Sequence, residues 1–278
     1  MSKLRYLAPN AITLGAMACG LGGMVLAHRG AYVDAGWLLL LATFLDRADG
    51  LVARRLRATS AFGVQMDSFA DFFNFGVAPA FLLVTALTTT PGLPFGTGSG
   101  LAWAVGAAGL WLAAAALRLA RFNVLTERPN ADKTIFHGVP TTLAAGLLIN
   151  WFLVCLKYAA PGNPLGAPGR FAEGRLFCGL ELGPAVWQLF PWAMLTGALL
   201  MVSNLRVKKL GALPTRWGNL VVAALSAVAI ACQLFRVYPE FMVLLPSTWL
   251  AFWLVWGQLG ASYRGRPKPP LFPVGDDA

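Results

Sequence analysis

Apolar runs of about twenty residues recur from one end of this chain to the other, and no other feature limits its fold as sharply. Eight can be read, at 10–28, 33–53, 64–88, 101–122, 140–160, 185–203, 218–236 and 240–259. Each is near the ~20 residues that a helix needs to cross the hydrocarbon core of a bilayer. Within lipid only helices and closed barrels satisfy the backbone, and these runs lack the alternation of barrel strands. The expected fold is all-α: a polytopic membrane helical bundle of about eight transmembrane helices. It forms one membrane domain over 1–260, in which the last two segments are close enough to form a hairpin. The first run, preceded by Lys3 and Arg5, imitates a signal peptide, but it is long enough to span and further spans follow. The Pro-rich stretch 261–278 reads as a disordered cytoplasmic tail. Only 12% of the 278 residues are charged, against about 25% in soluble domains, which fits a chain whose main solvent is lipid.

The net charge of +10 would point to nucleic acid in a soluble protein. Here the basic residues sit in short loops between apolar runs, so the expectation is membrane lipid and no nucleic acid. Of the 22 lysines and arginines, only Arg29, Lys157, Arg170, Arg175 and Arg236 fall on one side of the alternating spans. The positive-inside bias then puts both termini and the 47–57 loop in the cytoplasm. The stretch 89–100 becomes an external turn, and 161–184 a longer external loop with little chemistry in it. The cysteines (19, 155, 178 and 232) show no CxxC spacing and read as neither a disulfide framework nor a zinc site. The tryptophans, Trp37, Trp103, Trp151, Trp192 and Trp217 among them, read as interface anchors.

Carboxylates inside a membrane segment are expensive and mark function by default. Asp46 and Asp49 end the second segment three residues apart, and Asp67 and Asp71 begin the third four residues apart. Both spacings put the paired acids on one helical face. The short basic loop between the segments brings the two faces to the same depth. Four carboxylates together repel one another and need cations to stay ionised. Arg47, Arg54, Arg55 and Arg57 supply part of that charge, and oxygen-only donors suit Mg²⁺ or Mn²⁺. Two such ions can clamp a phosphate during displacement. The plain alternative is a structural carboxylate–arginine network. Gly50 and Gly63, beside the acids, allow a ligand to approach the backbone closely, or else serve helix packing.

The run Asp46-Arg-Ala-Asp49-Gly50-Leu-Val-Ala53-Arg54, then Gly63, Asp67 and Asp71, resembles the signature of the CDP-alcohol phosphotransferases, D-x2-D-G-x2-A-R-x8-G-x3-D-x3-D, and matches it at every defined position. The resemblance implies that Asp46, Asp49 and Asp67 bind one metal ion and Asp46, Asp67 and Asp71 a second. It implies that Asp71 is the base that takes the proton of an acceptor hydroxyl, and that Gly50, Arg54 and Ser60 contact a CDP-lipid. It also implies a homodimer in a prokaryotic inner membrane. Pro9-Asn10-Ala-Ile-Thr13, Arg118-Leu-Ala-Arg121-Phe122-Asn123 and Phe136-His-Gly138-Val-Pro140 resemble the branch of that family that uses CDP-diacylglycerol and L-serine. Thr142 stands where that branch has a second proline.

A carboxylate-bearing acceptor suits an arginine fork. Arg121 is the first candidate, with Arg118 and Asn123 beside it, although basic residues also end membrane helices for topology alone. Asn10 and Thr13 can hydrogen-bond a nucleotide or serve capping and packing. His137 reads as structural. The same chemistry with glycerol 3-phosphate, an inositol phosphate or choline stays open at this point. So does a cation-coupled transporter, which would show broken midplane helices and a repeat between halves.

Overall fold

In lipid, a chain that cannot hand its amides and carbonyls to water folds them into helices, and these Ala- and Leu-rich runs do so throughout. The computed structural model describes residues 3–126, 134–166, 171, 173–208, 216–260 and 269–270. Its elements, in chain order, are α1 (Leu7–His28), α2 (Tyr32–Arg55), α3 (Ala61–Asp71), a π-helical turn (Phe72–Val77), α4 (Ala78–Thr89) and α5 (Gly98–Thr126). They are followed by β1 (Ile135–His137), α6 (Thr141–Lys157), α7 (Leu189–Val202), β2 (Arg206–Lys208), α8 (Arg216–Phe235) and α9 (Pro239–Leu259). With α3, the π turn and α4 forming one continuous rod, the eight helical rods match the eight apolar runs. Six of them, α7 together with the 3-10 turn Pro184–Gln188 that leads into it, are long and apolar enough to cross a membrane. The other two are α2, which carries acids and arginines, and α6, which has 17 residues. Between the fourth and fifth apolar runs, Ile135–His137 forms half of a two-stranded antiparallel ribbon, with Phe136 opposite Val207 and His137 opposite Arg206.

Helix association in lipid depends on close packing more than on a hydrophobic drive. Small residues on α1 let α2 approach: a Cβ on Gly22 would lie 2.9 Å from Leu38 Cδ2 and one on Gly23 2.9 Å from Leu39 Cγ. At the centre, Phe152 of α6 meets Trp187 and Phe190 with ring centroids 5.9 and 5.6 Å apart. Trp37 is a correction to the interface reading. It is buried, edge-on at 6.2 Å to Phe171, a residue of the 161–184 stretch.

That loop also carries more chemistry than its sequence promised. Lys157 Nζ lies 2.8 Å from Glu240 Oε1, both side chains being almost wholly buried. Tyr158 donates to the same oxygen at 2.7 Å, and Lys157 also donates to the Gly174 carbonyl at 3.2 Å. A cavity of about 430 Å³, lined by Lys157, Arg175 and Glu181 among others, opens beside this pair. The network ties α6 to α9 at the end of the bundle opposite the four aspartates.

The π turn has a readable cause. Pro79 has no amide hydrogen, so the carbonyl four residues earlier, that of Phe75, loses its helical donor. Trp111 of α5 supplies one: its indole Nε1 donates to Phe75 O at 3.1 Å, with both residues buried. Gly197 of α7 leaves room for the ring, since a Cβ there would lie 2.5 Å from Trp111 Cζ3. The turn sits directly after Asp71 and sets how α3 presents its acids.

The ribbon closes the same end of the bundle. Gly138 adopts φ +80°, which an L side chain resists, and a Cβ there would run into the carbonyls of Met201 and Ser203. Gln258 of α9 donates to Arg206 O at 3.1 Å. The ends of α5, α6, α7 and α9 are therefore held together next to the acids. Of the tail beyond α9, Pro269 and Pro270 are described, and the rest of 261–278 lies outside the described residues. Replacing Trp111 with Phe leaves a buried carbonyl without a donor, which costs about 1–3 kcal/mol. The thermal unfolding midpoint of the purified protein in detergent should fall accordingly. An unchanged midpoint would mean that the Phe75 carbonyl has another partner.

Candidate active site

The α2–α3 hairpin brings the four acids together. The carboxyl of Asp46 meets that of Asp71 and lies within the electrostatic reach of Asp67 and Asp49. Asp46 Oδ1 is buried and has no hydrogen-bond partner among the described residues. Asp49 is also buried, and Thr13 of α1 has its Oγ 2.5 Å from Asp49 Oδ2. The same hydroxyl lies 3.1 Å from the Pro9 carbonyl. Thr13 has a single proton to give, and the charged carboxylate is the stronger acceptor. Asp67 lies on the open side of the group.

A second cluster stands at the start of α3. Ser60 caps the helix, its Oγ accepting from Gly63 N at 3.0 Å. Gly63 lies between that hydroxyl and Asn10 of α1: a Cβ added there would be 3.2 Å from Ser60 Oγ and 3.8 Å from Asn10 Oδ1. On α2, the exposed Arg54 folds its guanidinium back over Gly50, one turn earlier on the same face. Asn10, Thr13, Gly50, Arg54, Ser60 and Gly63 thus line one side of the aspartates, where α1, α2 and α3 meet. The free amides at the start of α3 add a partial positive charge suited to phosphate.

The end of α5 supplies the other side. Arg118 is buried and near enough to Asp71 to interact with its charge. Its guanidinium carbon lies 4.9 Å from the centre of the Phe122 ring and 5.8 Å from that of Phe136 on β1. Among the described residues, no group accepts a hydrogen bond from it. Arg121, three residues on, is directed elsewhere. It donates to the Ser203 carbonyl at 3.4 Å, to the Pro269 carbonyl at 3.2 Å and to Asn204 Oδ1. Asn123 donates to Ser68 Oγ at 2.8 Å and so straps α5 to α3 between Asp67 and Asp71. Of the three residues expected to hold an acceptor, Arg118 reaches the charge of Asp71, Asn123 binds Ser68 beside Asp67, and Arg121 is directed away.

Over residues 6–167, the chain matches the family of CDP-alcohol phosphatidyltransferases. The chain belongs to that family. Relatives named CDP-diacylglycerol–serine O-phosphatidyltransferase include one from Helicobacter pylori strain J99, 35% identical over 204 residues, which are 72% of this chain and 71% of the relative. One from Mycobacterium leprae is 31% identical over 232 residues, 81% of this chain and 67% of the relative. One from Mycobacterium tuberculosis strain H37Rv is 32% identical over the same length, covering 81% and 70%. For a CDP-alcohol phosphatidyltransferase, the carboxylate end of this bundle is the candidate active site, since it gathers every residue of the signature.

The donor chemistry fits a hard divalent cation. All four side chains offer oxygen only, and the orphaned Asp46 Oδ1 beside a second carboxyl needs a positive partner. Among the described residues, no three such side chains are already drawn up around one point as a finished cage. They stand instead as the facing pair Asp46 and Asp71, with Asp49 and Asp67 nearby.

Sequence reading did not single out Asn74. It is fully buried in the π turn, one turn beyond Asp71, with both amide atoms lacking partners among the described residues, and it presses on the backbone of α1 at Gly20. Its signal was Pro79, which marks a break in the helix that carries the acids. Thr13→Val keeps the shape of the side chain and removes the donor to Asp49. It should weaken Mn²⁺ binding about ten-fold, as read by electron paramagnetic resonance of the bound ion. Equal affinity in the variant would detach Thr13 from the acid cluster.

Proposed function

We propose that this protein transfers a phosphatidyl group from CDP-diacylglycerol to the hydroxyl of L-serine, giving phosphatidylserine and CMP. The observation that carries the acceptor assignment is Arg118. It is a buried guanidinium beside Asp71 with none of its N–H groups taken by the described residues. A serine carboxylate satisfies that fork. Its hydroxyl, one carbon away from the carbon that bears the carboxylate, then falls toward Asp71.

The steps follow from the residues. Asn10, Ser60, Gly63 and the start of α3 receive the nucleotide and its pyrophosphate, and Arg54 swings from Gly50 to the phosphates. Asp46, Asp49, Asp67 and Asp71 hold Mg²⁺ or Mn²⁺, most economically two ions, which when bound neutralise the pyrophosphate and the CMP leaving group. Asp71 takes the proton of the serine hydroxyl. The hydroxyl oxygen attacks the phosphorus that bears diacylglycerol, the new P–O bond forms, and the bond to the CMP oxygen breaks. The anionic CMP leaves between cation and arginine.

The site argues against the other acceptors. Glycerol 3-phosphate and inositol phosphate bring a phosphate that would want several cations beside Asp71, where Arg118 is the guanidinium that the described residues bring into reach. Choline would want free aromatic faces, and the Phe122 and Phe136 rings already face Arg118. A cation-coupled transporter is disfavoured by the gathering of all four acids at one end. Loop charge supports a cytoplasmic site and cytoplasmic termini in a prokaryotic inner membrane. The family resemblance supports a homodimer.

Purified protein with CDP-diacylglycerol and Mg²⁺ or Mn²⁺ should release CMP with L-serine and not with glycerol 3-phosphate, inositol phosphate or choline. Release with none of the four would sink the reaction class. Arg118→Ala should raise the serine KM at least ten-fold and leave the CDP-diacylglycerol KM within about two-fold, whereas Arg121→Ala should act mainly on stability. The reverse pattern would move the acceptor site to Arg121. Asp71→Asn should lower kcat by 10² or more while Mn²⁺ binding partly survives, and near-normal turnover would remove Asp71 as the base.

A further inference from the structure

Arg118 poses a physical problem that the acceptor assignment leaves open. A long side chain carries several rotatable bonds, and holding it in one pose costs rotamer entropy. Helices usually hold an arginine by hydrogen bonds or an ion pair, but those contacts would occupy the N–H groups that a substrate carboxylate needs. Here no hydrogen bond to the described residues holds it. Two aromatic rings lie against it instead. The Phe122 and Phe136 centroids are 6.2 Å apart with their planes at 46°, and the guanidinium carbon is within 6 Å of both. Ring faces attract a cation through their quadrupole and leave its in-plane N–H groups directed outward.

The two rings come from separate parts of the chain. Phe122 is one helical turn from Arg118 on α5. Phe136 sits in the centre of β1, opposite Val207, so its ring is placed by the ribbon. The ribbon is pinned in turn by Gly138 N donating to Leu205 O at 2.8 Å and by Gln258 from α9.

We propose that Phe122 and Phe136 form an aromatic sleeve that aims the Arg118 guanidinium at the space over Asp71 while keeping its N–H groups free for the carboxylate of an amino-acid acceptor. Both phenylalanines are thereby positioning residues for acceptor specificity. The proposal rests on the acceptor reading above for its ligand, and on ring geometry alone for the pose of Arg118. It explains why a three-residue ribbon is built into an otherwise helical protein: the ribbon delivers the second ring.

The test separates ring electrostatics from packing. Leucine at 136 fills much of the same space without a π face, and tyrosine keeps the face. In the full-length protein in detergent with CDP-diacylglycerol, Phe136→Leu should raise the serine KM about ten-fold, leave the CDP-diacylglycerol KM within two-fold and keep the unfolding midpoint. Phe136→Tyr should restore the wild-type serine KM. The Leu change should add little in an Arg118→Ala background. An unchanged serine KM in Phe136→Leu, or a rise in both KM values together with a lower midpoint, overturns the sleeve. A second readout needs no turnover. Phenylglyoxal labelling of Arg118, followed by peptide mass spectrometry, should speed up several-fold in Phe136→Leu and match wild type in Phe136→Tyr. Equal labelling rates in all three proteins overturn the sleeve. If wild type releases no CMP with serine, the acceptor reading fails by itself and the labelling rates still decide the sleeve.

Discussion

Mutual repulsion among Asp46, Asp49, Asp67 and Asp71 is the constraint around which this end of the bundle is built. Carboxylates gathered where lipid replaces water cannot rely on solvent screening, and each needs a donor or a cation. The neighbouring elements can be understood as answers to that need. The first turns of α1 bring Thr13 to Asp49. The end of α5 brings Arg118 toward Asp71. What these groups leave unsatisfied, above all the buried oxygen of Asp46, is what a divalent metal and a charged headgroup would answer on the proposed reading.

The opposite end meets the same constraint differently. Lys157 and Tyr158 both bond to Glu240 Oε1 inside the protein, while Glu240 Oε2 is buried with no partner among the described residues. A buried ion pair of this kind is weak evidence for stability. Its evident effect is geometric, since it holds α6 and α9 together far from the chemistry.

Much of this was legible in the sequence, for a physical reason. Acids in apolar runs are rare enough that four at helical spacing announce themselves, and the glycines and Arg54 at fixed distances from them narrowed a generic cation site to one family. The spans were legible because lipid enforces length. What escaped detection depends on contacts between distant residues. Arg118 and Arg121 end the same helix three residues apart, and only the rotation of α5 decides which one faces Asp71. Strands of three residues are too short to show a period, so the ribbon read as a loop and Phe136 as part of a motif without a task. Trp37 sits where a boundary tryptophan should, yet Phe171 covers it from a loop more than a hundred residues away. Glu240 went unweighed because its partner Lys157 lies in another span.

The bond from Trp111 to the Phe75 carbonyl also works as a ruler. From that shared point, Asp71 lies four residues back along one rod and Arg118 seven residues ahead along its antiparallel neighbour. Both advances run toward the same end of the bundle, and the one along α5 is the longer. The backbone that bears the guanidinium therefore stands nearer that end than the backbone that bears the proposed base. On the proposed reading, an amino-acid acceptor descends hydroxyl first, its carboxylate stopped at the outer rung and its nucleophile delivered to the inner one. A molecule arriving the other way round would present its charge to an aspartate. The indole that repairs a proline's missing hydrogen bond thus gives the pocket a polarity, and with it a sense of which end of its substrate to react.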